Sequence, residues 1–191
     1  MTAAPSLRPH PGAQPRVEEF SALLTPDLID RYAAGTDRLE RRALDLTDSQ
    51  ADTFFRAEAG VGRWSCRVLA GHLADAEIVQ AHRMRRTAAE ECPVFSVWDE
   101  NAFIDAHLYG GERGGAEHPI AGFVAVIHTT RLWTSRWLQT LNTETWMRRA
   151  LHPEKGEMTL HSLLAITTWH LEHHAWFLSR KLERLLGPSS D

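Results

Sequence analysis

The sequence is poor in several things, and each absence narrows the reading. Only two of its 191 residues are cysteine, Cys66 and Cys92. They lack CxxC spacing and build no disulfide framework, so both are expected to be reduced, partly buried thiols. No apolar run approaches the roughly 20 residues of a membrane-spanning helix. The opening stretch MTAAPSLRPHPGAQPR has no apolar core of the secretory type; its prolines predict a disordered lead-in instead, and a cytoplasmic protein is the expectation. There is no basic excess: 21 Lys and Arg stand against 25 Asp and Glu, a formal charge of −4, which gives no electrostatic case for nucleic acid. No β-rich stretch and no internal repeat is visible. A chain this long can bury a sizeable core without staples.

What remains is helical. A first helix is predicted from Pro26 to Leu44, capped by Thr25, with Leu28, Tyr32, Leu39, Ala43 and Leu46 at helical spacing and Gly35 on the same stripe. A second starts after Ser65, an N-cap preceded by the apolar Trp64, and runs to about Ala89. Its inward stripe is Leu69, His72, Ala76 and Val79; Arg67, Arg83 and Arg86 are expected to face solvent. Residues 91–118 form a long connection ending in the glycine-rich GGERGGAEHP, and a connection of that length inside a compact domain is often functional. Within it Trp98, Ala102 and Asp105 stand at helical spacing and predict a short helix. A third helix is predicted from Pro119 to Leu141, a second connection over 143–158, and a last helix from the N-cap Thr159 to Leu186, stopped by Gly187-Pro188. Four amphipathic helices with two long connections predict an all-α four-helix bundle. The predicted organisation is a lead-in over 1–19, one domain over 20–187 and a tail over 188–191.

Eleven histidines and seven tryptophans are the unusual content. In TWHLEHHAWFL, His170 and His174 are about 40° apart around a helix, on the stripe of Leu163, Thr167 and Phe177. Side chains one turn apart can converge on one ion. His173 points about 60° to the far side of His170, away from that stripe. The last helix alone offers two ligands; His72, central on the second helix's inward stripe, offers a third. An inward histidine is ordinarily a hydrogen-bonded core residue. Three of them on facing stripes, with no acidic partner on the last helix, favour a metal site. Neutral imidazoles suit Zn, Ni, Cu or Fe(II), and three with an open position is the pattern of catalytic sites. The spacing lacks the HExxH general base. His10 falls in the lead-in, while His82, His107, His118, His152 and His161 are expected on the surface or in loops. His128 is a candidate supporting group. Trp133, Trp137, Trp169 and Trp176 are expected to serve packing or dimer contacts.

Three segments, RWSCRVLAGHLADAE, VWDENAF and HPEKGEMTLHSLLAITTWHLEHH, together resemble the DinB/YfiT-like family of metal-dependent proteins. The resemblance implies a four-helix bundle of up-down-down-up topology. It implies one divalent ion (Zn, Ni or Fe) held by the histidine of GHL and the two of H-x3-H, which here are His72, His170 and His174. Known members of that superfamily transfer low-molecular-weight thiols such as bacillithiol, or isomerise a substrate with mycothiol, and members often pair as dimers. Here Trp98 precedes Asp99, Glu100 and Asn101, with Phe103 as the later aromatic, whereas the family's loop is often richer in Asp or Gln before its tryptophan. A thiol bound to such an ion would lose its proton, and a bound water would become more acidic. The expected activity is therefore transfer of a low-molecular-weight thiol to an electrophile. A metal-dependent hydrolase and a non-catalytic metal-binding stress-response module are the alternatives. The expected partners are a small-molecule substrate, such a thiol and a second copy of the chain, with neither nucleic acid nor membrane. Asp75 or Glu77 could orient a ligand histidine, although Asp75 lies about 60° from His72 around the helix.

Overall fold

The computed structural model describes residues 12–110 and 118–188; residues 1–11 of the expected lead-in, the glycine-rich segment 111–117 and residues 189–191 lie outside it. Among the described residues eight α-helices and one hairpin follow in order: α1 (Val17–Ser21), α2 (Thr25–Ala33), α3 (Asp48–Ala51), α4 (Cys66–Ala89), α5 (Glu100–Asp105), α6 (Ile120–Leu138), α7 (Thr143–Trp146), β1 (Arg149–His152), β2 (Gly156–Thr159) and α8 (Leu160–Leu186). The bundle consists of α2, α4, α6 and α8. Both α4 and α2 pack against α6 and α8.

Side-chain contacts fix the directions. Arg67, at the start of α4, donates to the carbonyl of His118 just before α6, and Arg85 near the end of α4 lies over Trp133 and Trp137 near the end of α6. Those two helices are therefore parallel. Arg31 pairs with Glu172 while Arg42, further along, reaches the carbonyl of Gly187, so the α2 segment runs parallel to α8. Arg83 meets His152 before α8, and Lys181 near the end of α8 meets Val61 before α4, so these two run antiparallel. The result is up-down-down-up, as expected.

The long helices begin where their caps predict. Ser65 accepts from the amide of Val68, and Thr159 from that of Ser162. Three expectations need correction. The predicted first helix breaks after Ala33 into two 3-10 turns, Ala34–Arg38 and Arg41–Asp45, and its N-cap is Leu24, not Thr25. At the break, a Cβ on Gly35 would lie 2.0 Å from the guanidinium of Arg131, so glycine leaves room for a buried cation rather than for a continuous stripe. Second, Arg67 and Arg83 are buried rather than solvated. Arg67 donates to Asp48, Asp52 and the His118 carbonyl, and Arg83 to the Ser96 carbonyl, with His152 as its other partner. Charges in the interior need such partners, and helical periodicity does not reveal them. Third, the connection 143–158 folds into α7 and an antiparallel hairpin, Arg149 opposite Thr159 and His152 opposite Gly156, with Gly156 at φ +71° in the return. Leu151 bonds in turn to Pro93 and Phe95, which ties the first long connection to the hairpin. His152, expected on the surface, is buried there. The short helix expected around Trp98 to Asp105 is α5, capped by Asp99 through the amides of Asn101 and Ala102.

Two apolar clusters fill the interior. One joins α4, α6 and the second half of α8 through Leu69, Leu73, Ile127, Leu171 and Leu178; the other joins α1, α2 and the first half of α8 through Phe20, Leu28, Tyr32, Leu160 and Leu164. Residues 12–16 run along α8, where Trp176 donates to the Gly12 carbonyl and Trp169 to that of Pro15. Those two tryptophans thus hold a segment of the chain itself. Among the described residues no helix is long and apolar enough to cross a membrane.

Candidate metal centre

His72 lies in the second turn of α4, and His170 and His174 lie in the middle of α8. Because the two helices are antiparallel neighbours, the three imidazoles meet: one ligand atom from each lies within 4.8 Å of the other two. Nε2 of His72 is 3.2 Å from Nε2 of His170. The ring centroids of His72 lie 5.1 Å from His170 and 5.0 Å from His174, each pair edge to face, and those of His170 and His174 are 4.6 Å apart. The glycine before His72 has a local reason. A Cβ on Gly71 would come within 2.4 Å of the Tyr109 ring, so the first long connection packs directly on the α4 backbone beside the triad.

The triad is apolar in its setting and electrically neutral. Burial lowers the His72 pKa to about 4. Burial first, then His72, His173 and Lys181, lowers His174 to about 3. Burial and the neighbouring histidines hold His170 well below the usual range. All three rings are therefore unprotonated at neutral pH, the form in which imidazole binds a metal.

The donor set fits a divalent ion. Two ring nitrogens bound tetrahedrally to zinc at 2.0–2.1 Å would stand roughly 3.3 Å apart, close to the His72–His170 spacing. Among the described residues no carboxylate or backbone carbonyl is hydrogen-bonded to any of the three rings, and Nδ1 of His72 is buried with no partner at all. A buried polar atom without a partner marks an incomplete environment. Three imidazoles facing one another without an acid to share their protons are better explained by a shared cation than by mutual hydrogen bonds.

Two aromatic side chains that the sequence did not single out for the site enclose the triad. Trp98, in the connection before α5, stacks on His72 at 5.5 Å and 10°. Trp64, just before α4, lies 4.9 Å from His72 and stacks on His174 at 6.0 Å and 18°. Nε1 of Trp98 is also buried without a partner. The signal for Trp64 was present, since an apolar residue before an N-cap packs back on its helix, but that rule says nothing about a histidine two turns on. Trp98 had none, because a loop's docking position is not a matter of periodicity. Beside His174 opens a cavity of about 200 Å3, lined by Val61, Gly62, Arg63, Trp64, Leu69, Phe177 and Lys181.

The remaining sequence candidates lie elsewhere. His173 faces Gln14, 3.0 Å from its Nδ1, as its position off the stripe implied. His128 approaches Thr36 at 3.5 Å and makes no contact with the triad. Asp75 accepts from the Tyr109 hydroxyl, and Glu77 pairs with Arg131 and Tyr32, so neither is bonded to a ligand histidine. Asp99 caps α5, and Glu100 and Asn101 occupy its first turn.

Comparison with known proteins agrees with this architecture. The chain is 25% identical over 151 residues, 77% of its length and 78% of the relative's, to a Bacillus licheniformis protein named provisionally as a metal-dependent hydrolase. Its fold matches that of YfiT from Bacillus subtilis, described as a probable metal-dependent hydrolase with an unusual four-helix bundle topology, at a TM-score of 0.72 and 24% identity over 90% of this chain and 93% of that one. The DinB superfamily model matches residues 31–178, from α2 to the middle of α8, and with this span the chain belongs to the DinB superfamily.

Proposed function

We propose that the protein is a metal-dependent hydrolase in which His72, His170 and His174 hold one divalent ion. The observation that carries the reading is the convergence of three neutral imidazoles, unpaired with any acid among the described residues, beside a cavity. The naming of the Bacillus licheniformis relative supports it. An ion held there would polarise a carbonyl oxygen and make a coordinated water more acidic. The chain's own residues supply the rest. His170 and His174, one helical turn apart, fix the ligand face. Trp64 and Trp98 cover His72 and keep bulk water from its ring. In hydrolysis the water oxygen goes to the acyl carbon and its proton to the leaving group.

Thiol transfer, the activity expected first from the sequence, keeps one observation in its favour. Three neutral ligands leave the ion's full charge, which stabilises a thiolate. One experiment separates the two. Untagged protein, assayed for bound metal, is offered ester and amide substrates with and without a panel of low-molecular-weight thiols. Metal-dependent turnover without thiol is the expected result. Turnover only with thiol, giving an S-conjugate, would transfer the assignment to the second reading.

A further inference from the structure

The cavity beside His174 contains a feature that the metal centre does not use. Lys181 is 1% exposed, yet no carboxylate pairs with it among the described residues. Its ammonium donates to the carbonyls of Val61 and Gly62 at 2.6 and 2.9 Å and lies 4.6 Å from the Phe55 ring centroid. Two carbonyls and a ring face solvate the cation but do not neutralise it, and an ammonium has a third N–H to give. Burial lowers its pKa to about 8, opposed in part by the neighbouring Cys66 thiol. Glu40, on the neighbouring 3-10 segment, is taken by Arg42.

The cavity lining sharpens this. Beside Lys181 it includes the exposed Arg63; the rest is apolar or aromatic apart from His174 and Gly62, with no acidic side chain. Gly62, at φ +74°, holds the turn that presents its carbonyl to Lys181; a Cβ there would lie 3.8 Å from the ammonium and 4.0 Å from the Phe177 ring. Seven residues separate His174 from Lys181 on α8. That is two turns, nearly the same face and roughly 10 Å along the axis. The cavity is thus lined by His174 of the histidine centre, by the apolar Leu69 and Phe177, and by a buried cation that has no acidic partner among the described residues.

We propose that the substrate is a small organic carboxylate whose acid group docks on Lys181 while its acyl bond lies at the histidine centre, with an apolar chain between them. The acid takes no part in the bond changes; it sets register and selects the substrate. This rests on the hydrolytic reading for the bond cleaved. It adds the requirement for an anion at a set distance from that bond.

Matched inhibitors test it on the protein with its native metal. Monohydroxamates of linear diacids place a metal-binding head at one end and a free carboxylate at the other; their methyl esters keep the head and length but lose the charge. Affinities of both series are measured by calorimetry across chain lengths. The acid should outbind its methyl ester by about 10-fold or more at the length that spans roughly 10 Å, and not at the shortest lengths, since a hydrogen bond to a charged group is worth about 1.5–3 kcal/mol. In Lys181→Met the acid should fall to the affinity of its ester. A preference that survives this substitution, or an acid and ester that bind alike at every length, overturns the substrate class and leaves the metal reading intact. Failure of both series to bind at any length overturns the metal reading together with the substrate class. The length series needs no variant, so it decides the matter even if Lys181→Met does not fold.

Discussion

Among the polar side chains buried in the bundle, two groups are built on opposite principles. Tyr32, Glu77 and Arg131 close on themselves. The Arg131 guanidinium donates to Glu77 at 2.8 Å, to the Tyr32 carbonyl at 3.0 Å and to the Thr167 carbonyl at 3.1 Å, while the Tyr32 hydroxyl takes the other Glu77 oxygen. This group ties α2, α4, α6 and α8 together with all its charge compensated. His72, His170 and His174 share one nitrogen–nitrogen contact and leave Nδ1 of His72 with nothing. The first group is complete in itself; the second has the incomplete surroundings that a bound ion would complete.

The largest effect should come from opening the closed group. Glu77→Ala strands a fully buried guanidinium, and removing one partner of a buried pair costs about 3–5 kcal/mol. Urea unfolding should show that loss equally in metal-loaded and chelator-treated protein. A loss below about 1 kcal/mol would mean that the pair does not hold the helices together. The converse holds for the triad. His72→Ala should lower metal affinity by more than about 100-fold, beyond what loss of an outer partner costs a ligand. It should scarcely change the stability of metal-free protein, because the cavity it opens is offset by removal of an unsatisfied nitrogen. If His72→Ala retains the metal, the ligand set is wrong.

Much of this contrast was legible in the sequence, on one side only. The triad could be read because all three histidines sit on apolar stripes of regular helices, where position in the chain fixes direction in space. The closed group could not. Arg131 is one of two arginines on α6, whose register shows no reason for it, and its partners come from three other helices. The room it needs is made by Gly35, an exception on a stripe otherwise read as one continuous helix. For Arg67 and Arg83 charge was a poor guide: Arg83, four residues after Val79, continues the inward stripe under the hairpin-bound connection, and Arg67, off the stripe, is covered by α3. The hairpin itself escaped notice because four-residue strands carry too little alternation to register.

Acid should separate the two groups again, by a smaller amount. The unfolded chain's histidines take up protons near pH 6.5, whereas His72 in the fold does so only near pH 4. Metal-free protein should therefore hold its full histidine contribution above about pH 6.5 and lose it as the pH falls from there toward 4. His72 alone accounts for about 2 kcal/mol between pH 7 and pH 5. Chelator-treated His72→Ala should show a shallower fall over that window than chelator-treated parent protein. Parallel profiles would mean that His72 is already solvated and protonated in the fold.

The smallest effect concerns the aromatic cover of the triad. Trp64 and Trp98 place indole rings 4.9 and 5.5 Å from the His72 ring, whereas Trp133 stands exposed with Arg85 over its face. Titration of metal-free protein with Ni(II) should quench part of the tryptophan fluorescence. Trp98→Phe should reduce that quench while changing metal affinity less than about threefold, since the indole covers a ligand without being one. Trp133→Phe should leave the quenched component unchanged. Equal loss in both variants would place the ion away from His72, and a large fall in affinity for Trp98→Phe would mean that the stacked indole fixes the histidine's orientation. Asp75 and Glu77, the carboxylates that could have oriented a ligand histidine, are committed to Tyr109 and Arg131, which leaves the indoles of Trp98 and Trp64 as the side chains packed on the His72 ring.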